Sequence, residues 1–403
     1  MILQHSPPLH LTYCLNIHPG ESWTDNFAAI KEKALAVKAR IEPDSWFGLG
    51  LRISAHAARQ LSDDQALVDE AREFFAENQM YPFTVNGFPY GRFHSGAVKE
   101  KVYEPDWRTP ERRIYTMQLA DVFLNFLPPG IDGSISTVPC TYRPWATDDN
   151  DRIAMAKNLA IAVAYLAAIH DDTGQEIHLG LEPEPDCYLE TTAETIAFFK
   201  DSLWMEGVDE AARILRCDRV QAEVVMRRHL GVCFDTCHVA MQYEDLAESL
   251  RAYRAEGIRI SKVQLSAAIS APSNPETWAA LAGFDEPIYL HQVKGRGTSG
   301  AKYEWYDLGD ALAELPQFPD VEEVRVHFHV PLFASNLGGQ ITSTTSALDD
   351  HFFHDIRIGQ VCSHLEIETY TFDVLPPEIH PGDVVKSISR EYAWTLDQLG
   401  MRH

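Results

Sequence analysis

Two runs decide the fold: His178-Leu179-Gly180-Leu181-Glu182-Pro183-Glu184 and Leu230-Gly231-Val232-Cys233-Phe234-Asp235-Thr236-Cys237-His238. Each is a short apolar stretch that ends in a carboxylate, and each is followed by a polar break and then a segment of helical period. Side chains alternate along a strand. In the first run Leu179 and Leu181 therefore share one face, and His178, Gly180 and Glu182 share the other. In the second, Val232 and Phe234 face one way and Cys233 and Asp235 the other. A strand, a break and a helix in series make a βα unit, and repetition of that unit makes a parallel sheet.

The same rhythm extends in both directions. Strands are expected at Leu11–Ile17, Phe47–Ile53, Pro82–Phe88, Ser134–Val138, Ile177–Glu182, Leu230–Asp235 and Ile260–Leu265. Between them helical spacing is expected over Asp63–Asn78, Glu111–Phe126, Arg152–Ile169 and Leu246–Ala255. After the seventh strand the rhythm breaks, and residues 267–323 read as an insertion with a hairpin, Tyr289–Lys294 with Lys302–Tyr306. Two further strand-like runs follow, Val324–Val330 and Ser363–Tyr370. A barrel has room for one of them, and Ser363–Tyr370 is the expected eighth strand. An open doubly wound sheet would bind nucleotides through a glycine-rich first turn. Here that turn reads Asn16-Ile17-His18-Pro19-Gly20-Glu21, and neither GxGxxG nor a P-loop occurs. The expected fold is a single (β/α)8 TIM barrel over 1–403, with the insertion inside it.

The chain has 403 residues, of which 45% are hydrophobic and 23% charged, so it can bury a large core. With 59 acidic against 34 basic residues the net charge is −25, which argues against nucleic-acid phosphates and anionic membranes as partners. No stretch reads as apolar enough to span a bilayer, and the N-terminus lacks the pattern of a secretory signal. Seven widely spaced cysteines with no CxxC pair point to reduced thiols and a cytoplasmic location. Cys233 and Cys237 read as barrel wall rather than as a zinc or redox motif.

In a barrel, chemistry sits where strands end. Glu182 and Asp235 are inward carboxylates at such ends. The alternatives are a solvated loop glutamate for Glu182 and a helix N-cap for Asp235. On strand seven Lys262, Gln264 and Ser266 face inward. On the last strand, His364-Leu365-Glu366-Ile367-Glu368-Thr369-Tyr370, the inward residues are His364, Glu366 and Glu368. Buried glutamates are costly unless they are paired or hold a metal. Glu368, nearer the strand end, is the ligand candidate, and Glu366 a supporting or ion-paired residue. In Arg325-Val326-His327-Phe328-His329-Val330 the two histidines share a face, and His238 and His291 join them as candidate ligand-binding residues. The stretch from Asn86 to Trp107, rich in aromatic, amide and basic side chains and including His94, is expected to cover the barrel mouth.

Glutamate after strand five, Asp235-Thr236-Cys237-His238 after strand six, and Glu368-Thr369 after the last strand together resemble the xylose-isomerase-like barrel superfamily. That superfamily includes sugar isomerases, epimerases and a repair-nuclease branch. Four stretches are more closely similar to the metabolite traffic protein EboE family: Asn86-Gly87-Phe88-Pro89-Tyr90-Gly91, Tyr289-Leu290-His291-Gln292, His327-Phe328-His329-Val330-Pro331-Leu332-Phe333 and His364 to Thr371. The superfamily resemblance implies one divalent ion (Mn, Mg, Co or Zn) held by Glu182, Asp235, the strand-seven position and Glu368. Strand seven carries Gln264 where a histidine is usual. The amide oxygen can coordinate a hard ion, or His291, His327 or His329 completes the set.

Three functions follow from the resemblance. The first is an isomerase or epimerase of a sugar, cyclitol or related polyhydroxylated metabolite. In it Glu182 and Glu368 exchange a carbon-bound proton, while His238, His291, His327, His329, Asn86 and Lys262 bind substrate. The second is a non-catalytic carrier that hands a metabolite to partner proteins of its pathway. The third is a small-molecule phosphoesterase.

Overall fold

A computed structural model describes residues 1–91, 99–287, 289–358, 361–372, 375 and 382–401. Eight parallel strands form its centre: β1 Pro8–Tyr13, β2 Phe47–Arg52, β3 Met80–Asn86, β4 Gly133–Thr137, β5 Ile177–Leu181, β6 Leu230–Asp235, β7 Arg259–Leu265 and β8 His364–Ile367. Hydrogen-bonded order runs β1-β8-β7-β6-β5-β4-β3-β2, with a short antiparallel strand, Ile2–His5, against β1. Between β1 and β2 the ring closes through a parallel bridge at Cys14 and Gly50, and the Thr12 hydroxyl donates to the Gly48 carbonyl at 2.9 Å. The fold is a (β/α)8 barrel.

β1 lies upstream of its expected position. Leu11 to Ile17 is mostly apolar, but the Cys14 N–H pairs with the Ile367 carbonyl and Leu15–Ile17 then closes a 3-10 turn. That turn brings Asn16 to the mouth. β8 is drawn from Ser363–Tyr370, as expected. The competing run forms Val321–Val326 in a second, antiparallel sheet of six short strands between Ile269 and Ser343, which extends beyond the expected 267–323 segment. The hairpin there is Val293–Gly297 with Lys302–Trp305. The chain leaves Val326 directly into His327 and His329, so this sheet aims both histidines at the barrel mouth.

The helix expected over Asp63–Asn78 is present as Gln65–Glu77, capped by the Asp64 carboxylate, and a further helix, Ala55–Asp63, precedes it. Arg152–Ile169 grows to Asp149–Thr173, capped by Asp148 at its start and by Gly174 at φ +75° at its end, a conformation glycine adopts without a Cβ penalty. Among the described residues this helix is long and apolar enough to cross a membrane, contrary to the sequence expectation. Its charges lie near its ends, and the run from Asn158 to His170 carries none. Here Met155, Leu159, Val163 and Leu166 are buried against neighbouring helices and β5. All seven cysteines are free.

The barrel axis is polar. Thr12, Thr84, Ser134, Ser136, His178, Lys262, Gln264, His364 and Glu366 are all buried inside it. His178 and His364 lie at the end opposite the mouth, where Asp132 bonds the His178 Nε2 at 3.1 Å, lies 3.4 Å from the His364 Nε2 and pairs with Arg259. Burial, opposed by Asp132, pushes the His178 imidazole down to about 3. One glycine makes room for this filling. A Cβ on Gly50 would stand 2.1 Å from Glu366 Oε1 and 3.0 Å from the Tyr13 carbonyl. Gly50→Ala is therefore expected to cost about 1–3 kcal/mol through overpacking. An unchanged thermal midpoint would show that the axis has slack.

Candidate metal centre

Glu182, Asp235 and Glu368 meet at the C-terminal ends of β5, β6 and β8, each offering an oxygen within 4.8 Å of the others. Their backbones are fixed by the ladder: Glu182 N–H donates to the Thr137 carbonyl at 3.1 Å, and Glu368 N–H to the Leu265 carbonyl at 2.9 Å. Asp235 is both the cap and the inward carboxylate. Its Oδ1 caps helix Thr236–Met241, accepting from the His238 N–H at 3.0 Å and the Ser266 hydroxyl at 2.7 Å. Glu368 Oε1 accepts from the side-chain amides of Asn16 and Asn86 at 3.3 and 3.2 Å. Each carboxylate has a donor-free oxygen: Glu182 Oε2, Asp235 Oδ2 and Glu368 Oε2 are buried with no hydrogen-bond donor among the described residues.

Three buried carboxylates repel one another. Burial first, then Asp235 and Glu184, push Glu182 well above the ordinary carboxylate range. Burial, Glu182 and Asp235 do the same to Glu368. Burial also disfavours the Asp235 charge, but His238, His329 and the donors on Oδ1 outweigh it and hold that carboxyl low. Donor-free oxygens from three converging carboxylates fit a divalent cation, which takes oxygen ligands and offsets the repulsion.

A second constellation adjoins the first. His238 Nε2 lies 3.1 Å from His327 Nε2, which lies 3.3 Å from His329 Nε2. Burial lowers all three imidazoles, His238 to about 4, so they are neutral near pH 7.

No protein-family model matches this chain, and no curated protein matches it by sequence. Among solved structures it is similar to a xylose isomerase-like TIM barrel protein from Mycobacterium smegmatis in complex with magnesium. Identity there is 12%, covering 97% of this chain and 96% of that one, with a TM-score of 0.49. It is also similar to AsbF of Bacillus anthracis, a probable 3-DHS dehydratase involved in petrobactin synthesis, at 12% identity over 96% and 98% of the two chains, TM-score 0.48. The IolI protein with a bound zinc atom aligns at 14% identity over 97% and 98%, TM-score 0.45.

The remaining expected site residues separate. Asn86 reaches the centre through Glu368. Gln264 lies beside Asp235 and Glu366 in register, but its Oε1 accepts from the Cys233 thiol at 2.8 Å. Its Nε2 is buried with no partner among the described residues, and an N–H does not ligate. Lys262 is sealed in the barrel against Glu366, away from the cavity wall. His291 is likewise off the wall. It lies between Glu286, 2.9 Å from Nε2, and the His327 carbonyl, 3.0 Å from Nδ1, with its ring stacked on Phe328.

A cavity of about 60 Å³ opens over the centre. From the loop after β3, Phe88, Pro89, Lys99, Val102 and Tyr103 line it; residues 92–98 of that loop, with His94, lie outside the described residues. Lys99 ties the loop to Asp307 of the second sheet's segment at 2.7 Å, and the Tyr103 hydroxyl donates to Glu184 at 2.9 Å. Burial pushes Glu184 up to about 8, against the Tyr103 hydrogen bond. Asn16, Glu184 and Gln292 are parts of the site that the strand-end reading did not select. Glu184 carried a signal, since it follows Glu182 at the alternating position. Asn16 and Gln292 carried none, because their places depend on a turn and on the packing of the second sheet.

Proposed function

We propose that this chain is a divalent-metal-dependent isomerase or epimerase acting on a sugar, cyclitol or related polyhydroxylated metabolite. Glu182, Asp235 and Glu368 hold the cation, with a neighbouring histidine completing the set in place of Gln264, whose oxygen is engaged by Cys233. When bound, the cation polarises a carbonyl or hydroxyl oxygen of the substrate.

The observation that carries this reading is the pair Glu182 and Glu368. Both face the cavity, both keep a donor-free oxygen, and both sit above the ordinary carboxylate range. Carboxyls placed in this way can take a proton from a substrate carbon and return it. Asn16 and Asn86 orient Glu368 through Oε1 and leave Oε2 for the cavity. Amide, phenol and ammonium groups of Asn16, Asn86, Tyr103, Tyr289, Tyr370 and Lys99 on the wall suit a ligand rich in hydroxyls. The stretches resembling the EboE family support a setting in metabolite traffic or biosynthesis, beside partner proteins of one cytoplasmic pathway.

The test follows deuterium. The protein is incubated with ketoses, inosoles and cyclitols in D₂O with Mn²⁺, and label at carbon is read by NMR. Glu368→Gln, whose amide oxygen still coordinates, should keep bound metal by elemental analysis and lose exchange by about 10²-fold or more. A second reading, a metabolite carrier on the same barrel, is favoured by one observation: the Gln264 oxygen is engaged by Cys233, so strand seven presents no ligand. Ligand binding without exchange across the panel would establish the carrier.

A further inference from the structure

We infer that Asp132, His178 and His364 form a metal site at the closed end of the barrel, for a divalent transition-metal ion such as Zn²⁺ that staples three strands together. Each residue offers a ligand atom within 4.8 Å of the others. Asp132 immediately precedes β4, His178 is the second residue of β5, and His364 is the first of β8. All three therefore stand at strand entrances, whereas Glu182, Asp235 and Glu368 stand at strand exits. The closed-end site does not rest on the isomerase reading.

The His364 tautomer is fixed by its surroundings. Its Nδ1 lies 2.9 Å from the Ser134 hydroxyl oxygen. That hydroxyl donates its one proton to Thr84 Oγ1 at 2.7 Å, and the Thr84 hydroxyl donates to the Ser134 carbonyl at 3.3 Å. Ser134 can therefore only accept, and His364 Nδ1 carries the proton. In the neutral ring Nε2 is then a bare lone pair. It is buried, has no hydrogen-bond partner among the described residues, and lies 3.4 Å from Asp132 Oδ1. Two electron-rich atoms thus face each other. An imidazolium in the same place would donate to the carboxylate, and such charge-assisted bonds close to about 2.7–2.9 Å. The wider gap is that of two atoms bound to one ion, since ligands held tetrahedrally at about 2.0–2.1 Å are about 3.3 Å apart.

The neighbours complete the set. His178 Nε2 lies 3.1 Å from Asp132 Oδ2, and its Nδ1 is buried with no partner among the described residues. With the ring proton on Nδ1, Nε2 is the third ligand. Asp132 Oδ2 accepts from Arg259 Nη2 at 2.9 Å, which orients the carboxylate and leaves Oδ1 for the ion. The Arg259 charge is itself matched, because Nη1 pairs with Glu176 at 2.5 Å. Ser134 behind His364 and Arg259 behind Asp132 are the kind of outer partners that orient metal ligands. Two imidazoles and one carboxylate suit zinc and its neighbours. Entry is from below: Ser363, whose hydroxyl lies 3.4 Å from Asp132 Oδ2, and Arg259 both line a cavity of about 310 Å³ at that end. This face of a barrel serves stability rather than chemistry.

The test both counts the ion and locates it. Chelator-stripped protein is loaded with Zn²⁺, desalted and analysed for metal. His178→Gln/His364→Gln is expected to hold one ion per chain fewer than the parent, whatever the mouth retains. Equal zinc contents overturn the inference. Crystals of the unsubstituted, zinc-loaded protein guard against a variant that fails to fold. Diffraction recorded on both sides of the zinc edge should give an anomalous peak about 2.0–2.2 Å from Asp132, His178 and His364. A map with zinc only at the barrel mouth, or with none, overturns the site.

Discussion

Lys262→Met is expected to destabilise the protein by about 3–5 kcal/mol, seen as a lower urea midpoint. Lys262 and Glu366 are both fully buried in the barrel axis and joined by an ion pair. Burial opposes the Lys262 ammonium, but Glu366 outweighs it and raises the group above its ordinary range. Removing the cation leaves a carboxylate enclosed by Gly50, Thr12 and β7 with no compensating charge. The companion experiment separates net worth from breakage. In Lys262→Met/Glu366→Leu neither charge remains, and most of the stability should return, because apolar replacements of a buried pair are often neutral or better. By contrast Lys31 with Glu70, an exposed pair, should contribute no more than about 1 kcal/mol. A single-variant loss as small as that would mean that water reaches the axis.

Lys262 also shows where reading strand alternation succeeds and where it stops. Period-two alternation placed Lys262, Gln264, Glu366 and Glu368 inside the barrel, and all four are there. Alternation says which face, but not how high along the axis or which neighbour is met. Lys262 faces inward yet pairs below the cavity, while Glu368, a single turn of the pleat above Glu366, opens onto it. His178 and His364 face inward too, at the far end, where Asp132 holds them. The rule that strand ends carry chemistry was the needed second coordinate, and it selected Glu182, Asp235 and Glu368 correctly as mouth residues.

What remained hidden depends on contacts distant in sequence. Val324–Val330 reads as a candidate barrel strand, and the pairing of Val321–Val326 with Val293–Gly297 and Ile269–Pro272 follows only from the assembled second sheet. His327 and His329 could be seen to share a face, but not that the face meets His238. Gln292 could not be read at all as the partner of His327 Nδ1, 2.7 Å away. Likewise the apolar run inside Asp149–Thr173 has the composition of a membrane span, and only its packing shows what it covers here.

The buried Glu391 carboxyl is expected to withdraw stability from the metal-free protein as pH rises from about 4.5 to 8, and Glu391→Gln should remove that contribution. Glu391, on helix Val384–Gln398, is buried, and its Oε1 accepts from the Thr369 hydroxyl at 2.6 Å and the Leu332 N–H at 3.1 Å. It thereby joins the end of β8 to the segment that follows His329. Burial, only partly offset by those two hydrogen bonds, raises its carboxyl from 4.5 to about 8. The folded chain therefore holds a proton that the unfolded chain releases, and between those values folding becomes less favourable with each step in pH. At about 1.4 kcal/mol per pH unit the full effect of this one group is on the order of 5 kcal/mol. Glu184, raised to about 8 as well, contributes with the same sign. Glutamine keeps a carbonyl oxygen for Thr369 and Leu332 and cannot ionise. Urea unfolding of parent and Glu391→Gln in chelating buffer at acidic and mildly alkaline pH isolates the group, since every other titration is shared. Relative to the variant, the parent should lose stability between the two pH values, and an unchanged difference would mean that the Glu391 carboxylate is hydrated in the fold.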